Sequence, residues 1–81
     1  MSFKEEVLEL LIGKVTELQG VSGVTSATRF KEELNCKSTD IVRITAVLED
    51  EYDVEVPFMA FNRCVTLEDA ADYICKLMGM V

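Results

Sequence analysis

Residues 30–57 read FKEELNCKSTDIVRITAVLEDEYDVEVP and are the most informative part of the chain. Ser38 and Thr39 stand at the start of a helical pattern, and the hydroxyl of either one can cap a helix. Pro57 marks the other limit, because the residue before a proline is pushed out of helical geometry. The stretch therefore predicts a helix that begins near residue 38 and ends before residue 57. Its inward face consists of apolar residues at steps of three and four: Ile41, Ile44, Leu48 and Tyr52.

A long connection precedes this helix, from residue 19 to residue 37, and it is rich in Gly, Ser and Thr. A connection of this length inside a compact domain is unusual and needs an anchor. Phe30 and Leu34 are its largest apolar side chains, so we predict that they hold it against the helices. Ahead of it, Ser2 and Glu5 have the spacing of a capping box at the start of a first helix. The helical stripe of that helix follows: Phe3, Val7, Leu8, Leu10, Leu11, Val15 and Leu18.

Two further elements follow Pro57. Residues 58–63 have room for one or two helical turns. Thr66 then begins a last helix with Asp69 as its capping partner, and Gly79 is a natural stop. The apolar stripe of this helix consists of Ala70, Tyr73, Ile74 and Leu77. Three long helices, one short third helix and a long first loop predict an all-α four-helix bundle, and the length predicts one domain over residues 1–81.

The charge and hydropathy of the chain exclude several classes of function. Fifteen acidic residues against eight basic ones give a net charge of −7, which argues against nucleic-acid binding and suits basic partner surfaces. No apolar stretch approaches the roughly 18 residues that a membrane span needs. The charged first residues lack the apolar run of a signal peptide. We therefore expect a cytoplasmic protein, and a monomer.

The chain also lacks the usual means of catalysis and of metal binding. It contains no histidine, the commonest general base, and no Gly-rich phosphate loop. We therefore expect that it is not an enzyme. Its three cysteines, Cys36, Cys64 and Cys75, are widely spaced and form no CxxC pair, so we expect no metal site. The acidic run at residues 49–55 lacks the glycine turn and ligand rhythm of an EF-hand, which favours a solvated face.

Residues 30–40, FKEELNCKSTD, resemble the acyl carrier protein family, in which the pattern is F-x-x-[DE]-L-G-x-D-S-L-D. The similarity continues through VLEDEYDVEVP at residues 47–57 and TLEDAADYI at residues 66–74. This resemblance implies a carrier that holds acyl groups as thioesters on a covalent 4′-phosphopantetheine arm. The serine of the pattern is Ser38, which makes it the implied attachment site. The implied partners are a phosphopantetheinyl transferase and acyl-transferring or acyl-activating enzymes.

Three residues depart from the family pattern. Asn35 replaces a glycine, and asparagine tolerates the left-handed backbone better than most other residues, so the turn can survive. Lys37 replaces the aspartate before the serine, and Thr39 replaces the leucine after it. The serine itself is retained. At a helix start, backbone N–H groups and the helix dipole favour a phosphodiester anion. The alternative is that Ser38 is only a capping residue.

The second helix also carries the surface that recognises partners in the family, where this face is mostly acidic. Arg43 stands where an acid is usual, and Lys37 is a second reversal of charge. The candidate recognition residues are Lys37, Thr39, Asp40, Val42, Arg43, Ala46, Glu49 and Asp50. For Phe58 and Phe61, core packing is favoured over an exposed partner patch or the lining of an acyl pocket.

These observations lead to one principal hypothesis and two alternatives. The altered charges favour a specialised carrier for a dedicated lipid or secondary pathway, outside housekeeping fatty-acid biosynthesis. The first alternative is an unmodified carrier-like fold that acts as a protein-interaction module, which Lys37 and Thr39 favour. The second is an amino-acyl or peptidyl carrier.

Overall fold

The computed structural model describes residues 2–79 and contains four helices within them. Helix α1 spans Phe3–Gln19, α2 spans Ser38–Tyr52, α3 spans Phe58–Phe61 and α4 spans Leu67–Leu77. The predicted all-α arrangement of three long helices, one short third helix and a long first loop is confirmed. We use "first loop" below for residues 20–37.

Helices α1 and α4 begin and end where the sequence signals predicted. The Ser2 side chain accepts a hydrogen bond from the Glu5 backbone N–H at the start of α1. Gly20 ends that helix in the left-handed conformation, with φ of 63°. At α4, the Thr66 hydroxyl accepts from the Asp69 N–H while the Asp69 carboxylate accepts from the Thr66 N–H. These reciprocal bonds are the capping box that the sequence predicted.

The start of α2 differs from the prediction in its capping residue. Neither Ser38 nor Thr39 caps the helix: Lys37 holds the cap position in an extended conformation, and Ser38 is the first helical residue. The Asp40 carboxylate accepts a hydrogen bond from the Lys37 backbone N–H at 3.0 Å. The expectation of a hydroxyl cap was therefore wrong. Asp40 reaches back from the first turn and accepts the N–H of the cap residue, while no hydroxyl caps the first-turn N–H groups of α2.

The core lies where the helices pack together, with α1 against α4 and α2, and α2 against α3. Two contacts show that α1 and α2 run in opposite directions. The ring of Phe3, at the start of α1, meets that of Tyr52, at the end of α2, with centroids 5.3 Å apart. At the other end, the Gln19 side chain lies 3.6 Å from the Cys36 sulfur, just ahead of α2. The buried residues of α1, α2 and α4 are Val7, Leu11, Val15, Ile41, Ile44, Thr45, Leu48, Leu67, Ala70, Ala71, Ile74 and Cys75.

The first loop is anchored by the two side chains that the sequence predicted. Phe30 is 1% exposed and Leu34 is 8% exposed, and both belong to the core cluster. The Phe30 ring packs on Phe61 of α3 with a centroid distance of 5.9 Å. Phe61 is therefore a core residue, as the packing interpretation expected. Phe58 is partly buried against the same core.

Backbone hydrogen bonds also hold the first loop against the segment that leads into α4. The Phe30 N–H donates to the Val65 carbonyl at 3.0 Å, and the Leu67 N–H donates to the Thr28 carbonyl at 3.2 Å. These bonds flank a single antiparallel bridge between Arg29 and Thr66. The first loop is therefore joined to both α3 and α4 before it reaches α2.

None of the helices in residues 2–79 combines the length and the apolar character required to cross a bilayer.

Candidate functional site

Ser38 lies on the surface at the first position of α2. Its side chain is exposed, and within residues 2–79 its hydroxyl has no hydrogen-bond partner. The backbone N–H groups of the first turn of a helix have no acceptor within the helix. Together with the helix dipole they favour an anion at this end of α2. An accessible hydroxyl at such a place can be esterified and can carry a phosphodiester.

The position of Ser38 is set by the turn that comes before it. Asn35 adopts a left-handed backbone with φ of 53°, which confirms that asparagine replaces the family glycine without loss of the turn. The chain then folds back, and the Cys36 N–H donates to the Phe30 carbonyl at 2.9 Å. Cys36 is buried. Ser38 is therefore held two residues from a buried anchor that is tied to the core by Phe30.

The electrostatics at the start of α2 are set by Lys37, Asp40 and Arg43. The pKa of the Asp40 carboxyl is lowered, mainly by the hydrogen bond from the Lys37 backbone N–H and further by Gln19 and the charges of Arg43 and Lys37. Asp40 is therefore ionised at neutral pH. Lys37 and Arg43 are exposed, and neither takes part in an ion pair within residues 2–79.

The structure brings most of the predicted recognition residues to the exposed side of α2. Thr39, Val42, Arg43, Ala46 and Asp50 are exposed together with Lys37, and Val42 presents an apolar surface that is 50% exposed. The apolar Val42 lies one turn after Ser38, on the same face of the helix.

Asp40 and Glu49 are half-buried and have structural partners. The Glu49 carboxylate accepts a hydrogen bond from the Val56 backbone N–H at 2.8 Å, so it fixes the chain that leads from α2 to α3. The sequence analysis did not foresee this role, since a bond between residues seven apart across a turn leaves no local pattern. Asp40 has a comparable role at the start of the helix.

Comparison of the sequence with known proteins identifies the family of this chain. The family model for the phosphopantetheine attachment site matches residues 6–74, which is most of the chain. The chain belongs to the acyl carrier protein family. It is 32% identical over 75 residues to an acyl carrier protein of Rubrobacter xylanophilus, a match that covers 90% of this chain and 93% of the relative.

Two other acyl carrier proteins show similar agreement. The protein of Chlorobium phaeobacteroides is 31% identical, with 90% of this chain and 91% of the relative covered. The protein of Cyanidioschyzon merolae is 30% identical, with 90% of this chain and 82% of the relative covered. Members of this family are carriers, not catalysts, and they bear a covalent 4′-phosphopantetheine. Their partners are phosphopantetheinyl transferases and enzymes that handle acyl groups.

The residues at the start of α2 fit this cofactor. A free hydroxyl, an unpaired helix N-terminus and the neighbouring Lys37 ammonium all suit a phosphodiester on Ser38. The carboxylate of Asp40 is the one negative group in the first turn of α2, and it is already engaged by the Lys37 N–H. Among residues 2–79, no group of three or more carboxylate or thiol side chains is arranged to hold a metal ion.

Proposed function

We propose that Ser38 carries the phosphopantetheine arm and that the chain is a specialised carrier for a dedicated lipid or secondary pathway. The observation that carries this proposal is the exposed, unpaired hydroxyl of Ser38 at the first residue of α2. The arm supplies the thiol on which an acyl group is held as a thioester. The protein supplies the attachment point, its orientation and the surface that partners recognise.

The charge next to Ser38 supports attachment of an anion. A cation at the N-terminus of a helix opposes the helix dipole, at a cost of about 0.3–1 kcal/mol for an exposed group. Lys37 is such a cation, and within residues 2–79 no acidic side chain lies within ion-pair distance of its ammonium. A phosphodiester on Ser38 would give the Lys37 ammonium an anionic partner, so that its unfavourable interaction with the helix dipole is offset by a favourable one with the phosphate.

The specialised role is inferred from the charges on the exposed side of α2. Lys37 and Arg43 place two positive charges beside the attachment site, where the family pattern has acids. Surfaces of this kind select partners mainly through association rate and through rejection of wrong partners. We also infer a monomer, because a net charge of −7 opposes self-association. As departures from the family pattern, Lys37 and Thr39 are also the features that suit the alternative, an unmodified interaction module, which the following experiment separates from a carrier.

The purified chain is incubated with coenzyme A and a phosphopantetheinyl transferase of broad specificity, and intact mass is recorded. We expect one added arm on the wild type and none on Ser38→Ala. Ser22→Ala is the matched control, since Ser22 is an exposed serine in the first loop, and it is expected to load like the wild type. If the wild type gains no mass with several transferases, the interaction module replaces the carrier.

A further inference from the structure

A cavity of about 380 Å³ lies between the first loop and the segment that joins α3 to α4. Three of the eight basic residues of the chain line it, Arg29, Lys31 and Arg63, together with one acidic residue, Glu32. This is a concentration of positive charge on a protein whose net charge is −7. The cavity is within the size range of sites that hold small molecules.

Two of the three cations remain uncompensated within the cavity. The guanidinium of Arg29 donates to the Glu32 carboxylate at 2.6 Å, so these two charges cancel. The Lys31 ammonium donates to the backbone carbonyl of Asn62 at 3.3 Å, which holds it in place and leaves two of its three donors for other acceptors. Neither Lys31 nor Arg63 forms an ion pair within residues 2–79.

The rest of the lining adds apolar surface without adding negative charge. Val65 is 52% exposed although it is apolar, and Cys64 lies beside it, half-buried. Burial raises the pKa of the Cys64 thiol to about 11, with a further contribution from the charge of Asp69. The thiol is therefore neutral at physiological pH. The cavity offers a small apolar surface with cationic donors beside it.

A backbone hydrogen bond links the segment before α2 to the part of the first loop that lines the cavity. Arg29 and Lys31 flank Phe30, whose carbonyl accepts the Cys36 N–H at 2.9 Å. Ser38 follows Cys36 by two residues, so their Cα atoms are at most about 7.6 Å apart. An arm on Ser38 therefore begins on a segment that is hydrogen-bonded to Phe30, the residue between the two lining residues Arg29 and Lys31.

We propose that this cavity binds an acyl group that ends in a carboxylate. The proposal rests on the proposed function, because the acyl group would arrive on an arm at Ser38. Ammonium and guanidinium donors form short, charge-assisted hydrogen bonds with a carboxylate. A neutral acyl chain of the same length leaves these donors without an anionic partner. Tethering gives an effective concentration in the millimolar range, so weak intrinsic affinity is sufficient.

The test uses free probes and the Ser38→Ala chain, so that it does not depend on arm attachment. The probes are the N-acetylethylenediamine monoamide of succinic acid and the corresponding amide of butyric acid, which have acyl groups of equal carbon number. Backbone amide NMR signals are followed during titration. The succinyl probe is expected to give saturable shifts at Lys31, Arg63 and Val65, and the butyryl probe none at these positions.

Substitutions in the cavity test which side chains bind the carboxylate of the succinyl probe. Lys31→Gln combined with Arg63→Gln is expected to weaken binding of the succinyl probe by about tenfold, the change that about 1.4 kcal/mol makes at 25 °C. Glutamine retains a donor for the Asn62 carbonyl, so the loop contact can persist. Lys76→Gln is the matched control: Lys76 is exposed and lies near the end of α4, about 13.5 Å along the axis from its start, so binding should not change.

Three results would overturn the proposal. They are equal binding of the two probes, unchanged affinity in the double variant, or no saturable shift at tens of millimolar succinyl probe. The last concentration is above the effective concentration that a short tether provides. In the last case the cationic side chains of the lining would instead contact a partner protein or offset the negative charge of the chain. Each of these results leaves arm attachment at Ser38 untouched. Conversely, a chain that accepts no arm but binds the succinyl probe contradicts the proposed function alone.

Discussion

Lys37 is the residue at which the chemistry of this carrier departs furthest from the family pattern. Its backbone begins α2 and donates to Asp40, while its ammonium stays exposed beside Ser38. Arg43 adds a second exposed cation five residues after Ser38, about 7.5 Å further along the helix axis. With the arm on Ser38, as proposed, both charges lie near the place where a partner enzyme approaches it.

We predict that Lys37 and Arg43 make the arm-bearing protein a poor substrate for a general malonyl transferase, which docks carriers through basic surfaces. The double change of Lys37→Asp with Arg43→Glu should raise kcat/KM for malonyl loading, most clearly at low ionic strength, because like charges slow the encounter. Raising salt to about 0.1 M should reduce the difference, since the screening length is then about 10 Å. Malonyl loading is followed by intact mass at two salt concentrations.

A control double variant separates the effect of charge near Ser38 from the effect of the overall net charge. Lys14→Asp with Lys76→Glu changes the net charge by the same amount at two positions outside α2, one on α1 and one on α4, and should leave loading unchanged. Equal loading of the wild type and the Lys37/Arg43 variant at low salt would mean that these residues do not set partner choice. The dedicated pathway would then lose its main support, while the family assignment would stand.

At the scale of elements, the first loop is an ordered part of the core. Phe30 and Leu34 belong to the core cluster that the helices form, and backbone bonds join the loop to the start of α4. The order of this loop bears on the proposed attachment site, because the loop leads directly to Ser38.

We predict that Phe30→Ala lowers the free energy of unfolding by about 3–5 kcal/mol, the usual cost of truncating a buried phenylalanine. This is a large share of the 5–15 kcal/mol that holds a small domain together. Val21→Ala is the control in the same loop, where the side chain is 37% exposed, and it should cost less than 1 kcal/mol. Urea unfolding followed by circular dichroism measures both. Similar midpoints for the two variants would contradict the anchoring role of Phe30.

Local sequence patterns predicted the helices and the loop anchors, because helices follow from the spacing of nearby apolar residues and anchors from large apolar side chains in a polar loop. The spacing of Ile41, Ile44 and Leu48 fixes the buried face of α2, and Phe30 and Leu34 had no other plausible place than the core. The pattern did not predict the bridge between Arg29 and Thr66, since hydrogen bonds between two irregular segments have no side-chain signature.

Part of the candidate site follows from the sequence pattern. The pattern singled out Ser38 and the exposed charges near it, but it did not identify the residue that caps α2. Both Ser38 and Thr39 are good caps, and only the backbone geometry shows that Lys37 takes that position. The cationic cavity was also missed, because Lys31 and Arg63 are far apart in the sequence and meet only through the fold.

The net charge acts at the scale of the whole molecule. With fifteen acidic and eight basic residues, the folded chain repels itself, and within residues 2–79 only four ion pairs offset this repulsion. All four are at least partly exposed, where such pairs contribute little.

We predict that potassium chloride raises the melting temperature up to about 0.1 M, where screening becomes effective. A single cooperative transition, seen alike by calorimetry and circular dichroism, is expected if residues 1–81 form one domain. A melting temperature that falls with salt would contradict the role of self-repulsion. Two separated transitions would contradict the single domain.

The central claim is that the arm is attached at Ser38, and peptide mass spectrometry tests it most directly. Trypsin cuts after Lys37 and Arg43 and releases residues 38–43, STDIVR, whose hydroxyl groups are those of Ser38 and Thr39. Where the arm blocks the cut after Lys37, the released peptide is residues 32–43. After treatment with a transferase and coenzyme A, this peptide should carry one arm, and fragmentation should locate it on Ser38. An arm on Thr39 or on any other peptide would contradict the account.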